Sequence, residues 1–139
     1  MSQTNNSVSR HTFTIPGRLP CLNDYIKIER GGGGRYGAAR AKKEIQDMIQ
    51  WAIKGSALRA MKLEGPVTIH YLWIEKDRRR DKDNIAFAKK FVQDALVGAG
   101  VLENDGWRHV EGFTDSFAVD AKNPRVEVTI EWGNQDEQS

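Results

Sequence analysis

Cysteine is almost missing from this 139-residue chain: Cys21 stands alone, which excludes an internal disulfide and any Cys-rich zinc module. No apolar run approaches the ~20 residues that a membrane-crossing helix needs. The opening MSQTNNSVSR lacks the apolar centre of a secretory signal. Net charge is small as well, with 21 Lys+Arg against 19 Asp+Glu and a formal total of +2. Hydrophobic residues at 39% and charged residues at 29% exclude collagenous, coiled-coil and wholly disordered chains. One globular domain, in a reducing cytoplasm and away from membranes, is the expectation that survives.

The near-neutral total hides an uneven distribution. Arg18 to Lys54 holds eight basic and four acidic residues, and Lys76 to Lys90 holds seven and three, each a balance of +4. Glu103 to Ser139 holds three basic and nine acidic residues, a balance of −6. Such asymmetry suits a face for a polyanion, although ordinary solvated surface also accommodates it.

Along the chain, residues 1–10 and 133–139 read as polar, disordered tails. His11–Gly17 predicts a short strand stopped by Pro16-Gly17, and residues 18–36 a long connection through the tetraglycine Gly31–Gly34. A helix is expected from about Ala38 to Ala60, with Ile45, Met48, Ile49, Ala52 and Ile53 as its buried stripe. Val67–Ile74 is rich in β-branched and aromatic residues and predicts a strand. Ile85, Ala88, Phe91, Val92, Ala95, Leu96 and Ala99 mark a second helix, ended by Gly98 and Gly100. Val110–Val119 and Val126–Trp132 complete the set as strands. The order β-α-β-α-β-β predicts a small α+β domain, two main helices packed on a mixed sheet.

The sharpest chemical feature is Asp81-Lys82-Asp83, between a buried-looking strand and a helix. In extended backbone, residues two apart project to one side, so both carboxylates are aimed together. Hard oxygen donors in such a pair suit Mg²⁺ or Mn²⁺. Asp105, beyond the second helix, would add a third carboxylate if the chain reversed to the same sheet edge. A structural account competes with this: Asp83 or Asn84 would cap the helix, and Asp105-Gly106 would form a turn. Arg78, Arg79 and Arg80 precede the acidic pair, and Lys89 and Lys90 follow it. Carboxylates for a metal beside cations for neighbouring phosphates are what a nuclease needs.

Further positive charge surrounds the tetraglycine. Lys27, Arg30, Arg35, Arg40, Lys42 and Lys43 could meet the phosphates of a polyanion, although a simple flexible loop accounts for the segment at least as well. No Gly-Lys-Ser/Thr follows the glycines, so no nucleotide-binding loop is expected. His11 and His109 lack partners at zinc spacing, and His70 reads as an ordinary strand histidine. Trp51, Trp73 and Trp132 read as packing residues, whereas Trp107 belongs to the Asp-Gly-Trp turn.

Asp81-Lys82-Asp83-Asn84, Gln93-Asp94-Ala95-Leu96, Gly98-Ala99-Gly100-Val101-Leu102 and Asn104-Asp105, in this order, resemble the RusA family of Holliday junction resolvases, often carried by phages and prophages. The similarity runs from about Phe13 to Trp132 and is densest from Arg80 to Trp107. Upstream, Pro16-Gly17 and Leu22-Asn23-Asp24-Tyr25 match more loosely. The resemblance implies an endonuclease domain over residues 11–132. It would be a homodimeric, Mg²⁺-dependent hydrolase that makes paired, symmetric nicks in four-way DNA junctions during recombination and repair. Other branched DNA is an alternative substrate, and a non-catalytic DNA-binding module an alternative role.

Carried over position by position, Asp81, Asp83 and Asp105 match the family's metal ligands. Two departures accompany the match. The first acid of the family's paired acids is Asn104 here, and its lysine, four residues after the second Asp of DxD, is Phe87. Three extra residues before Asp94-Ala95-Leu96 make Lys90 the expected catalytic lysine, with Lys89 and Lys82 as substitutes. Lys27, Arg30, Arg35, Lys42, Lys43, Arg78, Arg79, Arg80 and Lys89 are the expected DNA contacts.

Overall fold

The alternating apolar residues of four segments form strands, and these assemble into one sheet. The computed structural model describes residues 8–31 and 34–133, with the backbone alone at 34–36. Its strands are β1 (Val8–Pro16), β2 (Val67–Glu75), β3 (Val110–Val119) and β4 (Arg125–Gly133). They lie in the order β1-β4-β2-β3. β4 is antiparallel to both β1 and β2, and β3 runs parallel to β2 with Tyr71 opposite Asp115. The expected tails are shorter than 1–10 and 133–139, because Val8–Arg10 and Gly133 pair within β1 and β4. Residues 1–7 and 134–139 lie outside the described residues.

One face of the sheet is apolar. Phe13 and Ile15, Ile69, Tyr71 and Trp73, and Val126, Val128 and Ile130 are all buried there. The opposite face carries polar ladders, with Thr12 Oγ1 2.7 Å from Thr129 Oγ1 and His70 Nδ1 2.8 Å from Thr114 Oγ1. His70 is thus a satisfied sheet histidine. This asymmetry places the helices on one side, in an α+β fold.

The helical segments differ from expectation in three places. Residues 18–36 are not a continuous loop, because α1 (Leu22–Arg30) occupies them. Its N-cap is Cys21, a residue outside the usual capping set, and the Cys21 N–H donates to Asp24 Oδ2 at 3.5 Å. Tyr25 anchors α1, its ring 5.4 Å from that of Phe91 and 5.9 Å from that of Phe87. Next, α2 (Gly34–Lys54) stops six residues short of Ala60, and Ser56 caps a separate 3-10 turn at Ala57–Ala60.

The stripe of α2 is narrower than its periodicity suggested. Ile45, Ile49 and Ile53 are buried, whereas Met48 is partly exposed and Trp51 is 76% exposed. Trp51 is therefore not a packing residue: two positions from Ile49, it points away from the sheet. Trp73 is buried, stacked on Tyr71 at 5.3 Å, and Trp132 packs partly buried against the core.

Finally, the second expected helix is two, α3 (Lys82–Ala86) and α4 (Lys89–Gly98). Between them Ala88, Lys90 and Phe91 donate to carbonyls three residues back, a locally tightened turn. At the far end of α4, Gly100 takes φ +81° and its N–H bonds to Val97 O at 3.0 Å. A Cβ there would meet nothing within 4 Å, so only backbone strain opposes a side chain. Gly100→Ala is expected to cost about 1 kcal/mol, read as a lower urea midpoint at unchanged slope.

Two parallel neighbours cannot be joined by a hairpin, so the chain must cross from the carboxyl end of β2 to the amino end of β3. α3 and α4 form that crossover. It begins with Asp81 and Asp83 and ends with Asp105.

Candidate functional site

At the carboxyl end of β2 the chain turns through Lys76–Arg80 into α3, and an open cavity of about 720 Å³ lies at this junction. Asp81 and Asp83 line it together with Arg78, Arg80 and Lys82. Asp81 occupies the N-cap position of α3 without making a side-chain capping bond, and Asp83 Oδ1 accepts only the adjacent Asn84 N–H, at 2.9 Å. Helix capping therefore does not account for Asp81. Both residues are exposed and line the cavity, although Asp83 sits in the first turn of α3 rather than in the extended backbone expected from the spacing.

The floor of the junction is a buried ion cluster. Glu75, the last residue of β2, is 7% exposed, with Arg18 Nη1 and Arg80 Nη1 at 3.4 and 3.7 Å from its Oε1. Arg80 also donates to Asp24 Oδ2 at 2.6 Å and to Leu19 O at 3.1 Å. For Asp24, desolvation is the largest influence and acts upward. The Cys21 hydrogen bond and the Arg80 guanidinium outweigh it and hold the carboxyl below its ordinary value. Arg80 thus ties α1 to the strand end, whereas Arg78 and Arg79 remain exposed at the rim.

A second cavity, of about 520 Å³, shares Lys82, Asp83 and Phe117 with the first and adds Lys89 and Asp115. Lys89 Nζ lies 2.5 Å from Asp115 Oδ2 and 4.2 Å from the Phe113 ring centroid. Trp73 Nε1 donates to the other oxygen of Asp115 at 2.8 Å. Lys89 keeps 19% of its side chain exposed, so a DNA phosphate would have to compete with Asp115 for it. Asp115 and Glu75 are site residues that sequence reasoning did not single out. One signal for Asp115 was available: it shares a strand face with Phe113 and Phe117, an acid at an otherwise apolar position.

Lys90 faces elsewhere. Its Nζ lies 3.2 Å from Asp94 and 3.6 Å from Asp105. The Asp94 hydrogen bond and charge raise the ammonium above its ordinary value, with Asp105 adding to them. Asp105 lines a third cleft, with Gln93, Trp107 and Phe113. The expected reversal to one sheet edge does not occur. A parallel crossover leaves at one end of the sheet and re-enters at the other, which separates Asp105 from the Asp81–Asp83 cavity.

Among the described residues no three His, Cys, Asp or Glu side chains lie close enough to hold a metal together. Asp81 and Asp83 nevertheless fit an ion such as Mg²⁺, which commonly binds through one or two carboxylates and completes its shell with water and phosphate. The remaining expected contacts are dispersed. Lys27 and Arg30 are exposed on α1, and Lys42 and Lys43 on α2, Lys43 pairing with Asp47 at 2.9 Å. Gly32, Gly33 and the Arg35 side chain lie outside the described residues. No described helix is long and apolar enough to cross a membrane. Compared with known proteins, the chain matches no family model and no curated sequence.

Proposed function

We propose that this protein is a Mg²⁺-dependent endodeoxyribonuclease that resolves four-way DNA junctions by paired, symmetric nicks, as a homodimer and with no nucleotide cofactor. The observation that carries the reading is the cavity in which Asp81, free of capping duty, and Asp83 stand beside exposed Arg78 and Lys82. The succession of motifs from Asp81 to Asp105 supports it.

When bound there, Mg²⁺, or Mn²⁺ in its place, supplies Lewis-acid polarisation of the phosphoryl group and a water of lowered pKa. Asp81 and Asp83 would hold it, and Arg78, Arg79 and Lys82 would orient flanking phosphates. Lys82 and Lys89 share a cavity with Asp83, whereas Lys90 stands with Asp105. A part for Asp105 as third ligand, and for Lys90 as catalytic lysine, rests on the sequence resemblance alone. Two opposed nicks require two such sites, hence two chains.

The test is a synthetic four-way junction, a flap and a linear duplex incubated with the protein in Mg²⁺, Mn²⁺ or EDTA. Symmetric nicks confined to the junction, lost in EDTA, are expected, and sedimentation should give twice the 15.7 kDa chain mass. Cutting of the flap in preference narrows the substrate to other branched DNA. Tight binding of the junction without cleavage in either metal overturns the reading in favour of a DNA-binding module.

A further inference from the structure

The most exposed large apolar side chain described is Trp107, at 98%. A single exposed aromatic would need no explanation. Trp107, however, shares a cleft of about 260 Å³ with Phe113, itself 49% exposed. The turn that presents it is tethered: Asn104 Oδ1 accepts the N–H groups of Asp105 at 2.6 Å and Gly106 at 3.2 Å. His109 and Val110 both donate to Gly106 O at 3.0 Å. The backbone that presents the ring is thus bonded, so binding has less turn freedom to remove, while the ring itself stands in water.

The polar groups of the cleft decide what it would hold. Asp105 and Glu111 line it, with the side chain of Gln93. Paired carboxylates repel a phosphate but accept hydrogen bonds from the N–H groups along a nucleobase edge, which every base possesses. Cations for the adjoining backbone stand outside, in Lys90, 65% exposed and 3.6 Å from Asp105, and in exposed Arg108. An aliphatic ligand would take water from these carboxylates and return no hydrogen bond, at a desolvation cost.

We propose that the cleft between Trp107 and Phe113 takes an unstacked nucleobase of the branched substrate, with Trp107 stacked on its face and Asp105 and Glu111 accepting from its edge. The inference rests on the nuclease reading and specifies how that site would select branched over linear DNA. Bases at a branch point unstack at lower cost than bases within a duplex, so a stacking platform there favours the branch.

Binding in EDTA, where no cleavage occurs, tests this with the full chain. Trp107→Ala is expected to weaken binding to a four-way junction by on the order of ten- to a hundredfold while leaving linear-duplex binding unchanged. Trp107→Phe should retain most of the affinity. An abasic residue placed at each branch-point nucleotide in turn should, at one of them, erase the difference between Trp107→Ala and the wild type. Equal junction binding by the wild type and Trp107→Ala overturns the inference alone, since junction selectivity would persist. A change of sedimenting mass in Trp107→Ala overturns it in favour of a protein–protein contact. Wild-type binding no tighter to junction than to duplex overturns both the inference and the reading beneath it.

Discussion

Asp83→Asn is expected to lower Mg²⁺-dependent junction cleavage by roughly a thousandfold, with junction affinity in EDTA held or improved. Asp83 lines both adjoining cavities, so it is the carboxylate that the DxD pair and Lys89 have in common. Asparagine keeps the side-chain shape and an oxygen able to accept the Asn84 N–H, which Asp83 accepts at 2.9 Å. What it removes is one negative charge. A metal's Lewis-acid contribution is worth several kcal/mol, and each ~1.4 kcal/mol is tenfold in rate, hence the magnitude. DNA affinity moves the other way because one source of repulsion toward phosphate is gone. Single-turnover rates beside gel-shift affinities separate the two effects. A rate within tenfold of wild type, or a parallel loss of binding, counts against Asp83 as a ligand.

The second large effect concerns stability. Asp115 accepts from Trp73 Nε1 with one oxygen and pairs with Lys89 through the other, and both charged side chains are more than three-quarters buried. Asp115→Ala would leave an ammonium and an indole N–H without partners in a poorly solvated site. The expected cost is about 3–5 kcal/mol, a large share of an ordinary domain's stability. Adding Lys89→Met should recover much of it, because the unpaired charge goes while a long apolar side chain stays over Phe113. Urea unfolding of the two variants decides the matter. A cost below about 1 kcal/mol for Asp115→Ala would place the pair with exposed ion pairs instead.

The two predictions bear on one stretch of the molecule. Asp83, Lys89 and Asp115 line one cavity, so a loss of cleavage in Asp115→Ala is weighed against its stability. Lys89→Met alone, measured well below its melting temperature, separates a chemical part for that lysine from the structural one. Lys90, fixed between Asp94 and Asp105, offers the natural comparison.

Much of the fold was legible locally. Alternation in Val126–Trp132 and the β-branched run Val67–Ile74 specify strands because one face must be buried and side chains alternate across the pleat. The Asp81/Asp83 pair was legible only as a cluster at a strand-to-helix junction: Asp81 is the N-cap and Asp83 lies in the first turn of α3, so the extended-backbone spacing is not what brings them to one cavity. α1 was not legible, because its N-cap is a cysteine and it has no fully buried residue, so neither capping chemistry nor a strong apolar stripe announced it. The break between α3 and α4 was hidden because Ala88 and Phe91 remain buried on either side of the tightened turn.

Spacing within one element is a local property, so the chain alone determined which segments form strands and helices and that Asp81 and Asp83 fall together at the junction after β2. Relations between elements belong to the tertiary structure. Parallel placement of β3 beside β2 sends Asp105 to the other end of the crossover and brings Asp115 from a later strand to Lys89. Each depends on sheet order and register, which long-range burial and hydrogen bonding select and no short window of sequence contains.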